Sequence, residues 1–209
     1  MTATAARPRS LLLVHGAGSG PWVFNAWPPF FRGLSVETLD LHHGLETAHA
    51  TMSDYAAAIR RAASPLPRPL VLLGWSMGGL AALMAAGSAD ALVLLEASAP
   101  GEVQGFRPEV ALVPGVFDPE LEYGAFPEGI RARPESALAR AERKRGVSVP
   151  ALPCPALVVY GEEFPDERGR RLAKQYHARE LAFPGKSHWD LVLDPEVIGA
   201  VAREVSTGI

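Results

Sequence analysis

Cysteine is almost absent from this chain of 209 residues, in which Cys154 stands alone. A single cysteine cannot close an internal disulfide, so nothing indicates a disulfide-stabilised secreted protein. Cys154 lies in LPCPALVVYG, at the entrance to an apolar run, where an inert buried thiol is the favoured interpretation.

Long hydrophobic runs are also absent. No apolar stretch approaches the roughly 20 residues that a transmembrane helix needs. The first ten residues, MTATAARPRS, contain no apolar core of the kind that a signal peptide has. We therefore expect a cytoplasmic protein without a membrane partner.

A strong net charge is the third absence. Lysine and arginine number 20 and aspartate and glutamate 23, which gives a formal net charge of −3. This balance offers no electrostatic reason to expect a nucleic acid as partner. One basic cluster, interrupted by Glu135 and Glu142, is interpreted as a solvated helix face; it comprises Arg131, Arg133, Arg140, Arg143, Lys144 and Arg145.

Short apolar runs alternate along the chain with longer helix-like segments. The runs are continuous, which is typical of parallel strands covered on both faces, so we predict an α/β fold with a doubly wound, mostly parallel sheet. Ser53 and Asp194 are predicted helix caps, and Gly87 a helix end. The strands are predicted at about 11–14, 36–39, 69–73, 91–95, 156–160 and 179–183, and the helices at about 21–32, 52–63, 77–87, 168–177 and 195–206.

Residues 99–154 break this alternation. They are rich in proline and glycine and contain one convincing helix, near 135–145. A connection this long is often a lid or a binding segment. We therefore expect a single domain over 1–209, with a lid- or cap-like excursion at about 99–154.

The stretch LVLLGWSMGGLAALMAAG, residues 70–87, joins an apolar strand directly to an Ala-rich helix. At the junction Ser76 stands in a G-x-S-x-G pattern, between Gly74 and Gly78. A serine forced through so tight a turn presents its hydroxyl above the sheet, and the glycines let neighbouring backbone come close. The N-terminus of the helix also stabilises negative charge at this point. Ser76 is therefore the candidate nucleophile, in preference to a serine that only caps a buried helix.

A glycine-rich turn, HGAGSGPWVF, follows the first predicted strand. Ligand sites of doubly wound sheets lie outside the carboxyl ends of the strands, where this turn and Ser76 both fall. The backbone N–H groups of Ala17 and Met77 are candidate donors to an oxyanion. His15 is expected to hold the turn in place and to take no part in the chemistry.

At these motifs the chain resembles the α/β-hydrolase family. VHGAGSGPW, LDLHHG, LLGWSMGG, LVVYGEE and PGKSHWDLV occur in the family's order, and the resemblance covers nearly the whole chain outside 99–154. HGAGSGPW is also similar to the small plant methylesterase and hydroxynitrile-lyase branch. The resemblance implies a nucleophilic serine, an acid and a histidine, in that chain order. Since only about ten residues precede the first strand, we expect a trimmed sheet of about six strands.

A serine hydroxyl becomes a good nucleophile only when a base takes its proton. His188 is the candidate base, because it follows a predicted strand and a turn, PGKS, that returns it to the edge where Ser76 lies; it also matches the family's histidine. His42 and His43 are interpreted as surface-loop residues. His49 and His177 have no supporting context.

The acid departs from the family pattern. It usually stands three residues after the glycine that ends LVVYG, and here that position holds Phe164, which cannot hold an imidazole in its tautomer. Glu96 is the preferred substitute, because ALVLLEASAP is similar to members, such as certain haloalkane dehalogenases, that take the acid from this strand end. Asp166, two residues beyond the usual place, is the alternative. The neighbouring acids are further candidates, namely Glu162 and Glu163.

These residues predict a serine hydrolase that cleaves a small or medium apolar ester or thioester, without a cofactor or a metal. All four tryptophans lie close in sequence to the proposed chemistry, and Trp22, Trp75 and Trp189 are predicted to line the substrate pocket. A lyase or perhydrolase with the same triad is one alternative. A non-catalytic small-molecule binder is the other, and the phenylalanine at the usual acid position is what favours it.

Overall fold

The computed structural model of the protein describes residues 8–208. Six of its strands form a central sheet: β1 (Ser10–Val14), β2 (Ser35–Leu39), β3 (Leu70–Trp75), β4 (Ala91–Leu95), β7 (Ala156–Tyr160) and β8 (Arg179–Ala182). A separate antiparallel pair is formed by β5 (Val116–Phe117) and β6 (Glu135–Ser136). The order in the central sheet is β2-β1-β3-β4-β7-β8, and every neighbouring pair is parallel. This confirms the predicted α/β fold with a parallel sheet of about six strands.

Eight α-helices accompany these strands in the described part of the chain. A π-helical turn, Pro165–Arg170, leads into the sixth of them. No helix within residues 8–208 is long and apolar enough to cross a membrane. The helices are α1 (Met52–Ala63), α2 (Met77–Met84), α3 (Gly101–Gln104), α4 (Pro119–Tyr123), α5 (Ala137–Arg145), α6 (Arg171–Tyr176), α7 (Asp190–Leu193) and α8 (Pro195–Thr207).

The sheet lies between two hydrophobic layers, which explains its continuous apolar runs. Successive side chains of a strand point to opposite faces. In β1, Leu12 and Val14 pack toward α1 and α2, while Leu11 and Leu13 pack toward α7 and α8. All four of these side chains are buried, so both faces of the strand must be apolar.

The helix predicted at 21–32 is wrong. This stretch forms two single-turn 3₁₀ helices, Pro21–Phe24 and Pro28–Phe30. Its prolines lack the N–H group that an α-helix interior requires, so they restrict the chain to short turns. The apolar periodicity still reports burial, because Trp27 between the two turns is fully enclosed.

The helix boundaries differ from prediction in two places. Thr51, not Ser53, caps α1: the Thr51 hydroxyl accepts from the Asp54 N–H, and the Asp54 carboxylate accepts from the Thr51 N–H, which forms a capping box. Helix α2 ends at Met84, and Gly87 falls in the 3₁₀ turn that follows. The predicted cap of α8 is confirmed, since Asp194 accepts from the N–H of Glu196.

The segment 99–154 carries α3, β5, α4, β6 and α5, and its one convincing predicted helix is confirmed as α5, capped by Ser136. The interpretation of its basic cluster as solvated holds for only part of the cluster. Arg131 and Lys144 are exposed. Arg133 is largely enclosed and donates to both carboxylate oxygens of Asp40, at 2.6 and 3.0 Å. Bidentate pairing of this kind fixes a side chain in place.

Candidate active site

Ser76 sits on a sharp corner between β3 and α2. Its φ of 55° and ψ of −121° are strained for a residue other than glycine. Glycines on both sides permit the corner: a Cβ on Gly74 would lie 2.5 Å from the carbonyl oxygen of Gly78, and one on Gly78 would lie 2.3 Å from that of His15. The two glycines of the G-x-S-x-G pattern are therefore demanded by close approach of the strand, the helix and the loop after β1.

His188 and Glu96 come together beside this corner. Strand β4 neighbours β3 in the sheet, so the residue after it, Glu96, emerges at the same edge as Ser76. Nδ1 of His188 lies 2.5 Å from Oε2 of Glu96, and Oε1 of Glu96 accepts from the N–H of Gly161 at 3.1 Å. Glu96 is fully buried, so its carboxylate has both of these partners inside the protein. This pair leaves Nε2 of His188 as the nitrogen that is free to act on a hydroxyl.

Contacts from the loop after β7 and from the end of β3 fix the position of His188. The carboxylate of Glu163 accepts from the His188 backbone N–H at 2.8 Å. The indole of Trp75 stacks against the imidazole, with 4.9 Å between ring centroids, and its Nε1 donates to the His188 carbonyl at 3.3 Å. These contacts give Glu163 and Trp75 a positioning role that their place in the sequence did not indicate.

The other acid candidate lies elsewhere. Asp166 is exposed in the π-helical turn, and it makes no hydrogen bond to His188 among the bonds of residues 8–208. Phe164, at the usual acid position, meets the His188 ring edge-on, with 6.1 Å between centroids.

The glycine-rich turn after β1 passes directly over Ser76. A Cβ on Gly16 would lie 2.9 Å from the Trp75 ring and 3.0 Å from the Ser76 Cβ, so any side chain there would force these neighbours to shift. Ala17 lines the same cavity as Ser76, and Met77 begins α2, where the N–H has no acceptor inside the helix. Within the described chain, neither the Ala17 N–H nor the Met77 N–H donates to another protein group. Both amides are therefore available to an oxyanion.

His15 holds this turn in place, as the sequence predicts. It is fully buried, its Nδ1 lies 2.8 Å from the carbonyl oxygen of Gly16, and its Nε2 accepts from the Leu41 N–H at 3.1 Å and from Arg133 at 3.0 Å. Burial lowers the pKa of His15. The imidazole is thus neutral, with its proton on Nδ1, and its bonds are structural.

A second buried network holds the turn from above. Residues 133–136, which we call the strap, bond Gly18 on both sides: the Arg133 N–H donates to the Gly18 carbonyl at 2.9 Å, and the Gly18 N–H donates to Glu135 at 3.0 Å. Glu135 is fully buried and also accepts from the Tyr55 hydroxyl at 2.6 Å, while Nε2 of His42 lies 3.1 Å away. The interpretation of His42 as a surface-loop residue is therefore wrong, because its imidazole packs inside this network.

The charge of Glu135 is stabilised by these partners. Burial raises its pKa, but the hydrogen bond and charge of His42, and the bonds from Tyr55 and the Ser136 N–H, outweigh burial and hold the pKa at about 2. Sequence reasoning missed this network, because its members lie up to 117 positions apart. The only local signal was a glutamate within an otherwise basic stretch.

A cavity of about 300 Å³ opens above Ser76 and His188. Trp75 and Trp189 line it as predicted, whereas the structure places Trp22 in a separate groove, where its indole donates to the Arg131 carbonyl. One part of the wall is aromatic and another is cationic. The other lining residues are Ala17, Tyr123, Ala125, Phe126, Arg143, Glu163, Phe164 and Arg168.

The described residues contain no group of three or more histidine, cysteine, aspartate or glutamate side chains placed to hold a metal ion. Cys154 lies outside the cavity, where its thiol is 3.8 Å from the Ala86 carbonyl and burial raises its pKa. That environment suits an inert thiol.

Comparison with known proteins agrees with this architecture. The model of the alpha/beta hydrolase family matches residues 11–201. The chain therefore belongs to the α/β-hydrolase family, as its motifs predict.

Some of the similar proteins are esterases by name. A stretch of 76 residues is 40% identical to a pimeloyl-[acyl-carrier protein] methyl ester esterase of Aromatoleum aromaticum; it covers 35% of this chain and 29% of the length of that relative. Among solved structures, polyneuridine aldehyde esterase superposes with a TM-score of 0.65 at 17% identity, over 96% of this chain and 100% of that one. Tomato methylketone synthase I superposes with a TM-score of 0.67 at 18% identity, over 94% and 96%. At these identities the structural matches show the fold alone.

Proposed function

We propose that the protein is a serine hydrolase that cleaves a carboxylic ester or thioester through an acyl-enzyme on Ser76. One observation carries the proposal: a strained serine and a carboxylate-bound histidine, contributed by different strand ends, open onto one cavity. Esterases among the relatives support ester hydrolysis as the reaction.

In the proposed reaction the Ser76 oxygen attacks the ester carbonyl while Nε2 of His188 takes the hydroxyl proton. Glu96 keeps the other proton of the imidazole on Nδ1 and stabilises the imidazolium that forms. The amides of Ala17 and Met77 donate to the oxygen that becomes negative. The tetrahedral intermediate then expels the alcohol or thiol, which takes the proton from His188.

Deacylation repeats these steps with water. His188 takes a proton from water, the resulting hydroxide adds to the acyl carbonyl, and Ser76 leaves with the proton that His188 returns. The free acid is released, and the enzyme is restored.

The acid in this proposal, Glu96, follows β4. A triad is therefore possible although Phe164 stands at the family's usual acid position. Because Glu96 accepts from both His188 and Gly161, the end of β7 still contributes to the triad, but through its backbone. The segment 99–154 serves as the cover of the site in this proposal, since Tyr123, Phe126 and Arg143 form part of the cavity wall.

The proposal is tested with p-nitrophenyl butyrate and a fluorophosphonate probe. We expect turnover of the ester, covalent labelling of Ser76, and loss of both in Ser76→Ala. Ser53→Ala, on the exposed face of α1, is the matched control and keeps both. A folded protein that neither hydrolyses the ester nor reacts with the probe would instead be a binder of small molecules.

A further inference from the structure

Two arginines reach the cavity in which Ser76 and His188 lie. Arg168 comes from the π-helical turn after β7, and Arg143 comes from α5 of the covering segment. Both guanidinium groups are partly buried. The mechanism proposed above uses neither of them, so their presence calls for a separate explanation.

Arg168 is a partly buried cation without a polar partner among the described residues. Across residues 8–208 its side chain makes no hydrogen bond and no ion pair, and its Nε is buried without an acceptor. Its guanidinium lies over the ring of Phe164, 3.8 Å from the centroid. Burial and the nearby charge of Arg143 lower the pKa of Arg168, although the charges of Glu96 and Glu167 oppose that shift.

Arg143 is bonded only to neutral groups. Its two terminal nitrogens donate to the Tyr123 hydroxyl at 3.0 Å and to the Ser98 hydroxyl at 3.5 Å. Within the described chain it has no carboxylate partner, and its Nε is also buried without an acceptor. Its neighbours on α5 are different, because Glu122 pairs with both Arg140 and Lys144.

Two of the acidic groups nearby, Glu96 and Glu163, have other partners. The carboxylate of Glu96 is bound by His188 and Gly161, and that of Glu163 accepts from the His188 backbone. Arg143 and Arg168 also line a smaller adjoining cavity of about 140 Å³ together with Glu167, which forms no ion pair with either arginine within the described chain. Two like charges that converge on one space without an ion pair destabilise each other until an anion binds between them.

We infer that the substrate carries a carboxylate remote from the ester, and that Arg143 and Arg168 bind it. The inference rests on the proposed function for its ester group, and it names the substrate class as the monoesters of dicarboxylic acids. The carboxylate lies against the two guanidinium groups, which suit its planar geometry. The methylene chain then runs along the aromatic wall formed by Phe126 and Trp189.

The test compares two esters whose acyl chains have the same number of carbons. One is neutral, p-nitrophenyl hexanoate, and the other is anionic, the mono-p-nitrophenyl ester of adipic acid. We expect a higher kcat/KM for the anionic ester. Arg143→Gln and Arg168→Gln should each lower kcat/KM for that ester by about 10- to 100-fold, the range expected for a charge-assisted hydrogen bond, and change the neutral ester little. Arg203→Gln, which removes an exposed charge on α8, is the control and alters neither.

A second measurement is independent of turnover. In Ser76→Ala, calorimetry should show monoethyl adipate binding more tightly than ethyl hexanoate, and Arg168→Gln should remove the difference. Should Arg168→Gln fail to fold, Arg168→Met is used in its place, because methionine keeps an apolar contact with Phe164. Equal affinity for the two ligands, or equal losses on both esters, would overturn the anion site.

The two proposals fail in different ways. Labelling of Ser76 and hydrolysis of the hexanoate ester without a preference for charge would refute the anion site and leave the hydrolase standing. Absence of labelling together with arginine-dependent binding of monoethyl adipate would refute the hydrolase and leave the anion site standing.

Discussion

Replacing Glu96 by glutamine keeps the shape of the side chain and removes one of its two acceptors. In the native site one carboxylate oxygen faces Nδ1 of His188 at 2.5 Å, and the other accepts from the Gly161 N–H at 3.1 Å. A glutamine has a single oxygen, so its amino group must face one of these two partners.

Each orientation of the glutamine has a defined consequence. With the amino group toward Gly161, two donors oppose each other in a fully buried site, at a cost of about 1–3 kcal/mol. With the amino group toward His188, Nδ1 must accept and the proton must move to Nε2. That tautomer keeps both hydrogen bonds of the glutamine but cannot take the proton of Ser76, so we expect kcat to fall by about 10⁴-fold.

The assay is steady-state hydrolysis of p-nitrophenyl butyrate, with thermal melting to show that each variant is folded. Asp166→Asn is the matched control, because it makes the same change of charge on an exposed carboxylate, and it should alter kcat by no more than about twofold. Equal, small losses in the two variants, or a greater loss in Asp166→Asn, would refute Glu96 as the acid.

Three further changes test the fold around the site. Gly78→Ala drives a Cβ to 2.3 Å from a backbone oxygen, so it should lower stability by about 2 kcal/mol or more, whereas Gly87→Ala enters open space and should not, as thermal melting will show. Thr51→Ala should cost about 1 kcal/mol in urea unfolding and Ser53→Ala close to nothing, because only Thr51 caps α1. Glu135, with its folded-state pKa lowered from 4.5 to about 2, stabilises the fold above about pH 4.5 and loses that contribution as the pH falls toward 2. Glu135→Gln should therefore flatten the decline in unfolding free energy between those pH values, and an unchanged decline would contradict the assigned charge.

The sheet was predictable because its signals are local. Each central strand is an apolar run whose two faces meet two layers of helices, so the run itself reveals both burial and parallel pairing. The strained corner at Ser76 was predictable for the same reason, since the strand, the two glycines and the helix are contiguous. The failure at 21–32 was local too: the apolar spacing was weighed above the prolines, which cannot donate inside an α-helix.

The residues that sequence reasoning missed depend on contacts between distant segments. Nothing in the sequence near His42 indicates that its imidazole contacts a buried glutamate 93 positions away. Likewise, Arg143 and Arg168 stand in separate, superficially solvated stretches, and only the fold directs both into one cavity. The preference for Glu96 over Asp166 stays a prediction until the paired variants are measured.

The strap connects the covering segment directly to the glycine-rich turn above Ser76. A hinged flap can swing aside and leave the groups beneath it unchanged, but residues 133–136 bond both the N–H and the C=O of Gly18, the residue that follows Ala17. Lifting this end of the covering segment would strip Gly18 of two bonds and expose a buried carboxylate. An engineered chain with the whole covering segment excised would therefore lose the bonds that support Gly18, next to the proposed oxyanion donor Ala17, together with the cover of the cavity.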